Sequence, residues 1–480
     1  MMIKKQLQED IEMNNEKSIG QKLQDELLIN RKNGSILFDD AKIKEVDDYC
    51  EGYKAFLDAG KTEREAVIAA IKLAKAKGFV EYELGKKYNA GDKVYYNNRG
   101  KAVIFAVIGT DPIENGVNIM ASHIDSPRID LKGRPLYEEA QLAYFKTHYY
   151  GGIKKYQWTA IPLSLHGVVI KADGTTVTIT LGEDENDPVF CVTDLLPHLA
   201  QDQMKRTLAD GIRGEELNLL IGSREFRDDA ASEKVKLNIM KLLFDKYGFV
   251  ENDLISAELE LVPAFKARDI GFDRSMVGAY GQDDRVCAYT SLTATLEATD
   301  VKRTIVTILA DKEETGSDGN TGLKSAYLKY FIADLAKPFN VEGRTVLSRS
   351  KCLSADVNAA FDPTFPEVTE KKNTCYLNYG VVVTKYTGSR GKGGTSDASA
   401  EFVGEVTRML NQNNVIWQHG ELGKVDQGGG GTVAAYIANL NVDVIDIGVP
   451  VLSMHAPYEV TSKIDVYSTY NAFYAFANNK

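Results

Sequence analysis

The stretch RTIVTILADKEETGSDGNTGLKSAYLKYFIADLAK, residues 303–337, decides the fold. Its opening run, RTIVTILAD, is short, apolar and rich in β-branched side chains, as expected of a strand buried on both faces. Its closing run, TGLKSAYLKYFIADLAK, places apolar residues at helical spacing. Working outward, the same alternation recurs. DDRVCAYTSLTATLEA (283–298) and SDASAEFVGEVTRML (396–410) read as helices, and SKCLSADV (350–357) and VDVIDIGVP (442–450) as strands. Upstream, KAVIFAVIG (101–109) and VNIMASH (117–123) are further buried strands. They follow a helix, KTEREAVIAAIKLAKAKG (61–78), in which Thr62 and Glu65 form a capping box and Gly78 is the stop. Such alternation implies an α/β architecture, a central mixed, largely parallel sheet flanked by helices.

One region breaks the rhythm. From Leu136 to Ala267 the chain offers β-rich pieces such as IPLSLHGVVI and TTVTITLG, a polar stretch AQDQMKRTLADGIRGEELN, and then AELELVPAF. This reads as a β-rich domain, 136–267, inserted into a discontinuous main domain of residues 1–135 and 268–480.

Composition narrows the function. The 480 residues carry 57 Lys+Arg against 68 Asp+Glu, a net charge of −11, so there is no electrostatic footprint for nucleic acid. No run of about 18 apolar residues offers a membrane span, and the start, MMIKKQLQEDIEMNNEK, lacks the apolar core of a signal peptide. Five scattered cysteines without a CxxC pair read as reduced thiols of a cytoplasmic protein. DQGGGGTVAAY (426–436) lacks the GK[ST] ending of a phosphate loop, and no GxSxG elbow is present for serine-based hydrolysis.

The candidate chemistry lies at strand ends. His123, in ASHIDSPRIDLK, closes the VNIM strand, with Asp125 two residues on to hold the other ring nitrogen. Glu313 and Glu314 follow the 303–311 strand; adjacent side chains diverge, so one suits a metal and the other the water beside it. Asp283 sits at a loop-to-helix junction, where Asp284 is an alternative N-cap; Asp356 and His455 end two further strands. Singly, each fits a solvated loop. Together, two histidines and several carboxylates make the N/O donor set of a pair of divalent ions, zinc first, with cobalt or manganese as alternatives.

On the motifs SHIDSPRIDLK, GQDDRVCAYTSL, DKEETGS, SADVNAAFDP, GKGGTSDAS and VLSMHAPYEV, in this order from about residue 100 to the C-terminus, the chain resembles the aspartyl aminopeptidase family of cocatalytic dizinc metallopeptidases, in its bacterial branch. The resemblance implies that His123 and Asp356 bind one metal, Glu314 and His455 the other, and that Asp283 bridges them. It implies Glu313 as general base, Asp125 as orienter of His123, and a cis bond between Asp283 and Asp284. It further implies a metal-dependent removal of single N-terminal residues from peptides, acidic ones preferred. The insert becomes a dimerisation domain within a homo-oligomer, in that family a tetrahedral dodecamer enclosing the active sites. The acidic preference requires a cation, and the family pattern offers Lys385 in VVVTKYTGS and His166 in IPLSLHGVV, the latter positioned to reach a neighbouring subunit. Two departures stand out: the family's Asn after the bridging Asp is Asp284 here, and its Arg in the MHSxRE segment is Tyr458. Rival readings are a dizinc aminopeptidase or deacylase of broad neutral specificity, and a self-assembling protein without turnover.

Overall fold

In a computed structural model of the chain, residues 17–478 are described; the first sixteen residues of the N-terminal stretch considered above lie outside them. A nine-stranded sheet forms the centre. Its middle strands, Ile305–Ala310, Asn118–His123, Lys351–Ala355 and Asp443–Gly448, run parallel to one another in that order. Ala102–Val107 pairs antiparallel with Ile305–Ala310, and Val381–Thr384 antiparallel with Asp443–Gly448, which makes the sheet mixed. Every residue of Ala102–Val107, Asn118–His123 and Ile305–Ala310 is buried, because helices cover both faces.

One face packs against Asp40–Ala59, Glu63–Ala76, Gln282–Glu297, Ala400–Gln412 and Lys463–Ala477, through side chains such as Tyr53, Val67, Leu292, Phe402 and Phe473. The other packs against Tyr327–Ala336, Gly343–Leu347 and Ala434–Ala438, through Leu328, Phe331, Val346 and Ile437. Gln282–Glu297 has almost no exposed face, which explains why its sequence shows little amphipathic pattern.

A second, seven-stranded sheet occupies the β-rich region and has its own core around Trp158, Phe145, Leu165 and Phe249. It begins earlier than composition indicated: its first strand is Arg128–Glu139, leaving the His123 loop directly, and its last is Glu258–Pro263. Its start is easily read as exposed loop, because Arg128 and Asp130 are charged, yet Arg128 is buried with a set of acids. A third sheet of five short strands, not anticipated from sequence, includes Met276–Ala279, Pro450–Leu452 and Glu459–Ser462. The helix at Glu63–Ala76 has Thr62 as its N-cap, its hydroxyl accepting the Glu65 N–H at 3.3 Å. The reciprocal half of the expected capping box is absent, since the Glu65 carboxylate turns to His166 instead. All five cysteines are free, four of them buried and Cys191 partly so.

Candidate metal centre

His123, the Glu313–Glu314 pair and Asp356 leave from the C-terminal ends of three adjacent parallel strands, with Ala310 in register beside His123. That crevice is where open α/β sheets bind their ligands. Asp283 reaches the same point from another direction. Strand Met276–Ala279 turns at Gly281, φ 70°, into the long buried helix, and Asp283 and Asp284 sit in non-helical conformations joined by a cis peptide bond. His455, φ 64°, comes from the turn between Pro450–Leu452 and Glu459–Ser462 of the third sheet.

Asp283 faces two imidazoles at once. Its Oδ1 is 3.2 Å from His123 Nε2 and its Oδ2 is 3.1 Å from His455 Nε2. On the His123 side, Asp356 Oδ1 stands 3.7 Å and Glu313 Oε2 3.9 Å from the same nitrogen. On the His455 side, Glu314 Oε1 is 3.6 Å from Nε2. Potential ligand atoms of Asp283, Glu314 and His455 lie within 4.8 Å of one another, as do those of His123, Asp284 and Asp356, and those of His123, Glu313 and Glu314.

The rings are oriented from behind. His123 Nδ1 meets the Asp125 carbonyl at 2.9 Å and His455 Nδ1 the Gly152 carbonyl at 2.9 Å. A carbonyl only accepts, so each ring carries a proton on Nδ1 and turns its Nε2 edge toward the carboxylates. Asp125, fully buried, also receives the Tyr150 hydroxyl at 2.8 Å and the backbone N–H groups of Glu313 and Glu314 at 3.1 and 3.2 Å. It therefore ties the histidine to the glutamate pair.

Carboxylates outnumber cations here. Burial, followed by repulsion from Asp283, pushes Glu314 well above the usual carboxylate range. Burial drives Glu313 to about 8 with Asp356, Asp125 and Asp283 adding to it, and raises Asp356. Burial opposes ionisation of Asp283 too, but hydrogen bonds from His123 and His455 outweigh it and hold this acid low. Among the described residues Glu314 Oε1 and Asp284 Oδ1 are buried without a hydrogen-bond partner. Orphaned, mutually repelling oxygens beside two imidazole Nε2 atoms fit divalent ions of borderline character such as zinc.

Two candidates stand apart from this group. His166 is buried in the second sheet with both ring nitrogens occupied: Nδ1 by Glu65 at 2.7 Å, Nε2 by Ser164 at 2.9 Å and Glu183 at 3.2 Å. The expectation that it reaches a neighbour's substrate does not suit this setting, because partners of its own subunit already hold it. Lys385 is half-buried just after the Val381–Thr384 strand and makes no ion pair among the described residues; its carbonyl accepts the Ala398 N–H at 2.9 Å. No hydrogen bond or ion pair joins either residue to the cluster among the described residues. Tyr458, where the family pattern has Arg, packs edge-on to Phe265 with ring centroids 5.9 Å apart.

Sequence reasoning missed Glu459. Its buried carboxylate accepts the Asp283 N–H at 3.0 Å and the His455 N–H at 2.8 Å, fastening the bridging acid to the His455 turn. A lone acid opening a short strand, within a motif already singled out, was the available signal. Tyr150 and Gly152 were also missed, and nothing local marks them.

With that geometry in place, comparison with known proteins is specific. Residues 56–477 match the model of the family described as aminopeptidase I zinc metalloprotease, M18. A protein of Clostridium acetobutylicum, "Probable M18 family aminopeptidase 1", is 51% identical over 462 residues, covering 95% of this chain and 99% of its own. The crystal structure of an M18 family aminopeptidase from Thermotoga maritima superposes with a TM-score of 0.90 at 42% identity, covering 94% of this chain and all of that one. The fold extends further, to the mApe1 dodecamer of S. cerevisiae, with a TM-score of 0.72 at 20% identity over 90% of this chain and 97% of that one. Strand-end histidines and carboxylates on a mixed α/β sheet, together with a family match over most of the chain, place this protein in the M18 family of zinc aminopeptidases.

Proposed function

We propose that the chain is a two-metal aminopeptidase that releases single N-terminal residues from peptides. His123 and Asp356 would hold one ion, Glu314 and His455 the other, and Asp283 would bridge them. The observation that carries this reading is the pair of Asp283 oxygens, one turned to each imidazole. When bound, the ions would supply Lewis acidity, making a water nucleophilic near neutral pH and polarising the scissile carbonyl. Glu313 takes the proton of the attacking water and passes it to the leaving amine. Asp125 holds His123 and the backbone of both glutamates in place, and the free α-amino group of the peptide pairs with a carboxylate of the cluster. The rival of a non-catalytic assembly has no use for a half-buried Glu313 turned toward His123 at 3.9 Å without a cation of its own among the described residues.

The test is a metal-reconstituted screen over amino-acid amides and N-acyl amino acids. Release from the amides, abolished by a chelator, supports the reading; cleavage of the N-acyl compounds alone would make the protein a deacylase.

At the cleaved residue we infer a preference for Asp and Glu, with Lys385 as the cation. It is half-buried and has no ion-pair partner among the described residues, and a desolvated carboxylate needs a charge-assisted partner. A broader, neutral preference is the second reading, favoured by Tyr458 and Phe265 packing together where the family pattern has Arg. Values of kcat/KM for N-terminal Asp, Glu, Leu and Lys substrates, in wild type and Lys385→Ala, decide between them. Selective loss of the acidic substrates in the variant supports the cationic pocket, whereas a wild-type preference for Leu overturns it.

The second sheet is proposed as the dimerisation domain of a homo-oligomer, a tetrahedral dodecamer; the likeness in fold to the yeast dodecamer supports it. No helix among the described residues is long and apolar enough to cross a membrane, and the free thiols suit a reducing cytoplasm. Sedimentation of the intact protein would test the assembly.

A further inference from the structure

The end of the strand Leu142–Tyr150 belongs to the second sheet, yet it touches both halves of the metal centre. Tyr150 gives its hydroxyl hydrogen to Asp125 Oδ2 at 2.8 Å, and the other oxygen of the same carboxylate, Oδ1, lies 3.4 Å from His123 Nδ1 and accepts the Glu313 N–H, while Oδ2 also accepts the Glu314 N–H. One residue on, Gly151 has φ 70°, and a Cβ there would stand 3.2 Å from Glu314 Oε2 and 3.3 Å from Glu314 Cβ. The bare backbone thus runs flush against a ligand of the other ion. Next, the Gly152 carbonyl takes the Nδ1 proton of His455.

Three consecutive residues therefore set His123 through Asp125, confine Glu314, and fix the tautomer of His455. The segment is itself braced. Tyr150 is the cross-strand neighbour of Arg128, whose guanidinium lies 4.0 Å from the centre of its ring. Arg128 is held by Asp130 at 2.8 Å, Glu260 at 3.1 Å and Glu63 at 3.3 Å. Those partners come from the second sheet and from the start of the Glu63–Ala76 helix.

We propose that Tyr150–Gly152 is a positioning strap by which the second sheet sets the geometry of both metal sites, with Tyr150 acting on the His123 side and Gly151 and Gly152 on the His455 side. The proposal rests on the two-metal reading above. Groups that orient metal ligands from behind change affinity or activity by roughly 10- to 100-fold when removed. Tyr150→Phe keeps the ring over Arg128 and removes only the hydroxyl, so the Asp125 carboxylate keeps its two backbone donors and loses its one side-chain hydroxyl donor.

The experiment titrates zinc into the full-length apo protein against a competing chelator, for wild type, Tyr150→Phe and Gly151→Ala, with kcat and KM measured on the loaded enzymes and cobalt absorption as a third readout. Tyr150→Phe is expected to weaken one site about 10- to 100-fold, leave the other near wild type, and lower kcat with KM little changed. Gly151→Ala is expected to weaken the opposite site, because its methyl displaces Glu314. Wild-type affinities and cobalt spectra in both variants would overturn the strap, as would equal weakening of both sites in Tyr150→Phe. Should wild type bind two ions but hydrolyse no peptide, the proposed reaction fails while the affinity pattern still decides the strap. Wild type that binds one ion would overturn both.

Discussion

Around His166 and around His123 the chain buries similar groups, a histidine among carboxylates, but the two neighbourhoods differ in what closes them. At His166, the lysines Lys61 and Lys266 each reach Glu183 at 2.7 Å, and Glu65 takes the other side of the ring. Burial works against Glu183, yet the hydrogen bonds from His166, Lys266 and Lys61 hold it far below the usual carboxylate range. Charge is matched by charge from the same chain. At His123 the acids Asp283, Glu313, Glu314, Asp356 and Asp284 have two imidazoles between them and, among the described residues, no lysine or arginine in the ion-pair network. Burial drives most of these acids toward neutrality. A buried cluster that neutralises itself holds structure together; one with too few cations for its carboxylates to ionise against, and with unpartnered oxygens, is suited to receive a cation.

The sharpest way to break this contrast is Asp283→Ala. With the acid that faces both imidazoles removed, both ions should be lost and activity should fall to background, whereas Asp356→Ala or Glu314→Ala should weaken mainly one site. Elemental analysis that finds two ions retained in Asp283→Ala would end the bridging assignment.

Next in size is Glu313→Gln, which keeps the shape of the side chain but cannot accept a proton. Turnover should drop by roughly 10² to 10⁴ while metal content stays at the wild-type level. Loss of metal instead would make Glu313 a ligand and hand the role of base to Glu314.

The smallest effect concerns the self-neutralised cluster. Burial pulls His166 down, but Glu183 and Glu65 outweigh it, so its pKa is raised above 6.5 in the folded protein. A raised pKa means that the charged ring stabilises the fold fully below about pH 6.5, and that this contribution disappears as pH rises through the folded value. His166→Gln should therefore cost stability at pH 6, on the order of 1–3 kcal/mol for a group taken out of a buried polar network, and less at pH 9. Thermal melts of both proteins across that range supply the check. Unchanged stability at every pH, with altered turnover of acidic substrates, would return His166 to substrate binding.

Most residues that the structure gathers into this cluster were singled out before the fold. His123 and Asp356 close apolar runs, and a residue that ends a buried parallel strand is delivered to the sheet's binding crevice whatever lies around it, while His455 follows a short strand of the third sheet. Lys385 and His166 were less tractable. Both were singled out as cations near a pattern, and position along a strand says nothing about which charges the rest of the fold brings to meet them. The second sheet's first strand escaped for a related reason: Arg128 looks like a surface residue until Glu63 and Glu260, from distant segments, bury it.

What the sequence determined by itself is therefore local: which runs form strands and helices, which donor types stand at their ends, and that these donors suit a divalent ion. Periodicity and composition carry that information within a dozen residues. Only the tertiary structure decided how the donors divide, with one Asp283 oxygen toward each histidine, that Glu459 ties Asp283 to the His455 turn, and that Tyr150 and Gly152 reach in from the second sheet. Those contacts join segments tens to hundreds of residues apart, and a hydrogen bond depends on ångström-scale placement that no local pattern encodes.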